Sequence, residues 1–172
     1  SILREEKTPY CFFLDLRKAF DCLDQSHIYD MLRAIGCSDS VLETFRKLDA
    51  DTRMHIRTNK LHNKGIKPKC GVAQGIPSSP LRFCIAFDII LQALHMSGYC
   101  RIVTRNEYNK SGLCTQTEKH VIWAYADDVC IMCDNASDMR KALQLLEFLT
   151  GKLGMRANVK KSVIMRIDTH TK

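Results

Sequence analysis

The sequence predicts an α+β fold in which an open sheet carries helices on one face, and three observations lead there. Short, β-rich apolar runs bounded by turn residues recur at 10–16 and 121–132. A stretch near the C-terminus keeps a helical apolar stripe over 138–153. Strands and helices alternate without the strict βαβ order of a parallel sheet.

In chain order, "YCFFLDL" (Tyr10–Leu16) reads as a buried strand, and 26–35 as a helix closed by Gly36, which suits the left-handed position after a helix end. Ser38 is the expected N-cap of a helix over 39–48. "TRMHIRTN" and "GIKPKCG" suggest a basic hairpin, with Arg53, His55 and Arg57 on one face. Pro77 to Pro80 would start a helix over Leu81–Met96, apolar all round and therefore central. "YCRIVTR" gives another strand. A hairpin follows whose arms, 121–124 and 129–132, are apolar on both faces and so read as buried. Met139, Ala142, Leu143, Leu146, Leu149 and Leu153 form the stripe of the next helix, ended by Gly154, and a last strand falls near 162–167.

At 172 residues with 45% hydrophobic and 26% charged residues, the chain reads as one domain or a piece of a longer protein, without the composition of a disordered segment. No apolar run reaches the roughly 18 residues of a membrane span. The nine cysteines are scattered, and most lie in apolar stretches as free thiols would, which favours an intracellular, reducing setting. Cys130 and Cys133 form one CxxC, but on a strand they face opposite ways and no partner pair follows at zinc spacing. The net charge is +7. Basic residues without acids run from Arg53 through Arg57, Lys60 and Lys64 to Lys69, and again over 156–166, as a polyanion-binding surface would require.

Two features carry chemistry. Asp127 and Asp128 stand side by side at the tip of the hairpin in "AYADDVCIMCD", a pairing whose repulsion a cation or solvent must offset. Asp15 is the only charged residue of "FFLDL", and a carboxylate there needs a partner or a metal. If the two strands are neighbours, three carboxylates meet at one end of the sheet and suit Mg²⁺, which takes a few carboxylates and completes its shell with phosphate oxygens and water.

"FFLDLRKAFDCL", "GVAQGIPSSPLRF", "AYADDVCIM" and "LGMRANVKKS" resemble, in order and spacing, the palm motifs of reverse transcriptases, above all those of non-LTR (LINE-type) retrotransposons, with group II intron and telomerase enzymes as more distant relatives. The resemblance spans roughly 10–165. It implies a polymerase palm with an antiparallel sheet, partial fingers and no thumb, acting as an RNA-directed DNA polymerase on an RNA template, a DNA primer and dNTPs. Two Mg²⁺ ions, or Mn²⁺ as a substitute, would be held by Asp15, the Leu16 carbonyl, Asp127 and Asp128. Phe20 matches the steric gate against a ribose 2′-hydroxyl, and Gln74 and Gly75 match residues lining the nucleotide. Lys161 matches the lysine that protonates the leaving pyrophosphate. Further domains of a parent protein, fingers and thumb and in many relatives an endonuclease, are implied, and a membrane is not. The chain departs from the pattern at Ile76 and Ser78 in "QGIPSSP", and at Arg82, where the family is usually apolar. The altered motif and the basic 53–69 stretch keep open a catalytically silent nucleic-acid-binding relic, and the shared palm keeps open an RNA-dependent RNA polymerase, against which Phe20 argues.

Overall fold

The computed structural model describes residues 8–55, 65–68, 70–72, 77–108 and 114–167. The chain divides into two compact units, one made of 1–17, 89–152 and 156–172 and the other of 18–88 and 153–155.

The first unit is built on a four-stranded antiparallel sheet. Its strands are β1 (Tyr10–Leu14), β4 (Ile122–Tyr125), β5 (Asp128–Cys133) and β6 (Val163–Arg166), in the order β4-β5-β1-β6. A separate antiparallel ribbon joins β2 (Arg101–Tyr108) to β3 (Cys114–His120). The register pairs Leu14 with Val129, Phe12 with Ile131 and Tyr10 with Cys133. Alternation then separates two faces. Phe12, Leu14, Val129, Ile131 and Cys133 are buried. Helix α5 (Ala136–Lys152) packs against β5 and buries Met139, Ala142, Leu146 and Thr150. It begins earlier than its apolar stripe because Asn135 caps it, its side-chain oxygen accepting the Asp138 N–H at 2.9 Å.

The opposite face is open. Phe13, Trp123, Tyr125, Val163 and Met165 are all exposed, Tyr125 at 85%. The expectation of burial on both faces therefore fails for the hairpin, whose Trp123 and Ala124 are exposed, although Cys11 on the neighbouring strand is buried. Cys130 lies on the open face and Cys133 on the buried one, as the strand period requires. Each meets a different thiol: Cys130 Sγ is 3.2 Å from Cys11 Sγ, and Cys133 hydrogen-bonds Cys100. Burial first, then the Cys130 neighbour, pushes the Cys11 thiol up to about 12, so it stays protonated at neutral pH.

The second unit is helical: α1 (Ala19–Cys22), α2 (Gln25–Ala34), α3 (Asp39–Asp51) and the first part of α4 (Ser78–Met96), whose last part belongs to the first unit. Asp24 caps α2 by accepting the Ser26 N–H at 2.8 Å, one turn position earlier than the sequence suggested. Pro80 sits in the first turn of α4, where its missing N–H leaves no bond unmade. Apolar as it is, this helix is not buried all round as expected, since Leu81 and Cys84 are exposed. Gly71, at φ 84, lies so close to α1 that a Cβ would meet the Phe20 and Asp21 carbonyls at 2.8 Å. Only glycine fits there.

Candidate active site

Asp15 stands one residue past the end of β1. Leu14 is opposite Val129, so the same register carried one step further brings Asp15 level with Asp128 on β5. Alternation assigns both to the open face, since Asp128 is exposed and the next residue, Val129, is buried. The hairpin between β4 and β5 closes with the pair Tyr125–Asp128, leaving Ala126 and Asp127 as a two-residue turn. Ala126 has φ 53, the left-handed region that a turn of this kind needs and that a non-glycine residue adopts under strain. The chain thus brings Asp15 and Asp128 to neighbouring strands and holds Asp127 on the adjoining turn.

The Asp15 side chain is 28% exposed, and its Oδ2 is the better partnered of its two oxygens. Lys161 Nζ lies 3.6 Å from it and Asn158 donates an amide N–H to it at 3.2 Å. Among the described residues Oδ1 meets neither a donor nor a cation. The backbone of Asp15 is also held: its N–H donates to Ser162 Oγ at 3.1 Å, and its carbonyl accepts the Asn158 N–H at 2.7 Å. Leu16 is buried and forms an isolated bridge with Ala157. Asn158 and Ser162 were not singled out in the sequence; within "NVKKS" they are indistinguishable from a basic strand.

Beside Asp128, the open face forms a shallow apolar pocket of about 310 Å³, walled by Phe13, Trp123, Tyr125 and Cys130. The carboxylates are hard oxygen donors of the kind Mg²⁺ and Mn²⁺ take. No three acid, His or Cys groups gather at ligating distance among the described residues. The donor set therefore fits a divalent cation in part: Asp15 Oδ1 and the exposed Asp128 can contribute, with substrate oxygens and water filling the remaining positions.

Of the other expected site residues, Phe20 and Arg53 belong to the second unit. Phe20, on α1 in the second unit, stacks on Phe83 with ring centroids 4.5 Å apart, and Phe83 stacks in turn on Phe87 at 5.6 Å. By its contacts it is a core aromatic, and its side chain is only partly buried. Arg53 is exposed, and its Nη1 donates to the Ala50 carbonyl at 2.6 Å, finishing α3. Gln74, Gly75, Arg57, Lys60 and Lys64 lie outside the described residues. Arg82 is 1% exposed and donates from Nη1 to Asp49 Oδ2 at 2.8 Å. The departure from an apolar residue is thus matched by a buried acid on α3.

Over residues 1–171 the chain matches the reverse transcriptase (RNA-dependent DNA polymerase) family. It is 25% identical over 141 residues to the retrovirus-related Pol polyprotein of the type-1 retrotransposable element R2 of Nasonia vitripennis, covering 82% of this chain and 12% of that protein. A Pol polyprotein of the same element type from Popillia japonica is 28% identical over 156 residues, 90% of this chain and 24% of that one. The chain thus spans less than a quarter of the length of these relatives. Its fold is similar to that of Candida tropicalis telomerase, solved in complex with a TWJ fragment of telomeric RNA. The TM-score is 0.70 at 14% identity, over 98% of this chain and 27% of that one. A match over nearly every residue, a palm-type antiparallel sheet and acids at the strand ends agree on one conclusion: the chain belongs to the reverse transcriptase family.

Proposed function

We propose that this chain is the palm of an RNA-directed DNA polymerase within a non-LTR retrotransposon Pol protein. It would extend a DNA primer on an RNA template by nucleotidyl transfer from dNTPs. The observation that supports the reading is the pairing of Leu14 with Val129, which continued by one residue brings Asp15 level with Asp128, with Asp127 on the adjoining turn. When bound, two Mg²⁺ ions would supply activation of the primer 3′-hydroxyl and stabilisation of charge at the phosphate. Asp15, Asp127, Asp128 and the Leu16 carbonyl would hold them, and Mn²⁺ fits the same donors.

The chain's own groups do the rest. Lys161, on the turn before β6, would present its ammonium to the pyrophosphate leaving group, to which it can give a proton. Its 3.6 Å contact with Asp15 Oδ2 supports that role. Phe20 would crowd a 2′-hydroxyl and favour dNTPs, and Gln74 and Gly75 would line the nucleotide. Arg53, Arg57, Lys60 and Lys64 would contact the nucleic-acid backbone. Fingers, thumb and any endonuclease would come from the parent protein.

The test is dNTP incorporation on a primed RNA template by the full-length parent. Replacing Asp127 with Asn keeps the shape and removes the charge, and should lower the rate by several kcal/mol of barrier, about 10³-fold or more. Undiminished incorporation by that variant would reject the site.

A further inference from the structure

We propose that Asn158 and Ser162 are positioning residues that fix the Asp15 carboxylate for cation binding, an inference that rests on the function proposed above. Opposite β1, Val163 pairs with Phe13, and the next contact of the same two chain segments is the bridge of Leu16 with Ala157. Residues 158–162 therefore stand against Leu14 and Asp15 alone, and the surplus backbone is thrown out as a turn. The ladder is interrupted at the one position where a carboxylate must be held.

Side chains and backbone of the turn replace the missing rungs. Ser162 Oγ accepts the Asp15 N–H at 3.1 Å, and the Asn158 N–H donates to the Asp15 carbonyl at 2.7 Å. Asn158 is the hub. Its carbonyl accepts the N–H groups of Lys161 at 3.0 Å and Ser162 at 2.8 Å, which closes the turn. Its Nδ2 donates to Asp15 Oδ2 at 3.2 Å. One residue thus sets the backbone that carries Lys161 and orients the carboxylate that Lys161 meets. Occupying Oδ2 with an amide and an ammonium leaves Oδ1 turned to other ligands. A group that holds a ligating carboxylate typically matters 10- to 100-fold for metal affinity or activity when removed.

The choice of amide is specific. Asparagine supplies a neutral donor, whereas aspartate of the same shape keeps the backbone bonds of the turn but sets a second carboxylate against Asp15. Asn158→Asp should therefore be worse than Asn158→Ala, an order that loss of packing alone would reverse.

The experiment uses the full-length parent with Mn²⁺ as the probe. Mn²⁺ binding is read by electron paramagnetic resonance without nucleotide, alongside single-turnover incorporation, the KM for primer–template and the melting temperature. Asp15→Asn serves as the reference. Expected are a roughly 10-fold or greater weakening of Mn²⁺ binding and a similar fall in the incorporation rate for Asn158→Ala, with larger losses for Asn158→Asp. KM and melting temperature should hold. Ser162→Ala should fall likewise, and Ser162→Thr, which keeps the hydroxyl, should recover most of the loss. If Asp15→Asn abolishes incorporation while both Asn158 variants bind Mn²⁺ as the parent does, the positioning role is wrong. Loss of melting temperature with unchanged Mn²⁺ binding also overturns it, by showing a purely structural turn. If Asp15→Asn itself incorporates normally, the site reading beneath the inference fails first.

Discussion

Lys161 and Asp15 form an ion pair, Nζ to Oδ2 at 3.6 Å, across the turn that follows the last helix. Its magnitude as a stabilising contact is small. The lysine side chain is 73% exposed, and exposed pairs contribute at most about 1 kcal/mol. The role proposed for Lys161 in the reaction, rather than stability, is therefore what its replacement tests. Lys161→Ala in the full-length parent should lower the single-turnover rate by about 10²-fold, the low end for loss of a positioned acid. Thermal unfolding should move by no more than a degree or two. A rate equal to the parent's would remove Lys161 from the chemistry.

The buried pair Arg82–Asp49 poses the opposite balance. Arg82 Nη1 meets Asp49 Oδ2 at 2.8 Å, the Tyr29 hydroxyl donates to the same oxygen, and the guanidinium lies over the Phe45 ring at 5.1 Å. Among the described residues Arg82 Nε and Nη2 are buried without partners, so the guanidinium is incompletely compensated. Asp49→Ala strands that charge and should cost about 3–5 kcal/mol, read from the urea midpoint. Leucine at both positions removes the desolvation penalty and should recover most of the loss, or exceed the parent. A double variant no more stable than Asp49→Ala would show that the pair is worth more than the burial it costs.

This pair also marks where sequence reasoning stopped. Arg82 stood out as a departure in an apolar motif, but its partner is 33 residues away on another helix, and spacing gave no hint of Asp49. The hairpin at 122–133 and helix α5 were legible because each has a local signature: short apolar runs either side of a turn, and an apolar stripe of period 3.6. Strand β3 was missed because "CTQTEKH" has no apolar face to show. Helix α1, "AFDC", is too short to establish a period. The open sheet face was read as buried because Trp123, Cys130 and Met132 are apolar in composition, and nothing in one strand says whether a partner lies above it. Asn158 and Ser162 matter through bonds to a residue more than 140 positions earlier, which no local pattern encodes.

Ala126 offers a sharper test of how the acid turn is set. In a two-residue hairpin with φ positive at the first central position, glycine is the favoured residue, and alanine there carries about 1 kcal/mol of strain or somewhat more. The chain nonetheless holds Ala126 at φ 53 immediately before Asp127. Ala126→Gly should relieve the strain and raise unfolding stability by about 1 kcal/mol. The gain in turn freedom should let Asp127 leave its place, so incorporation by the full-length parent should fall several-fold. Ala126→Val, β-branched in the same backbone region, should lower stability by about 1–2 kcal/mol. A glycine variant both more stable and fully active would show that the left-handed turn needs only a small residue, and that its strain has no part in placing the carboxylate.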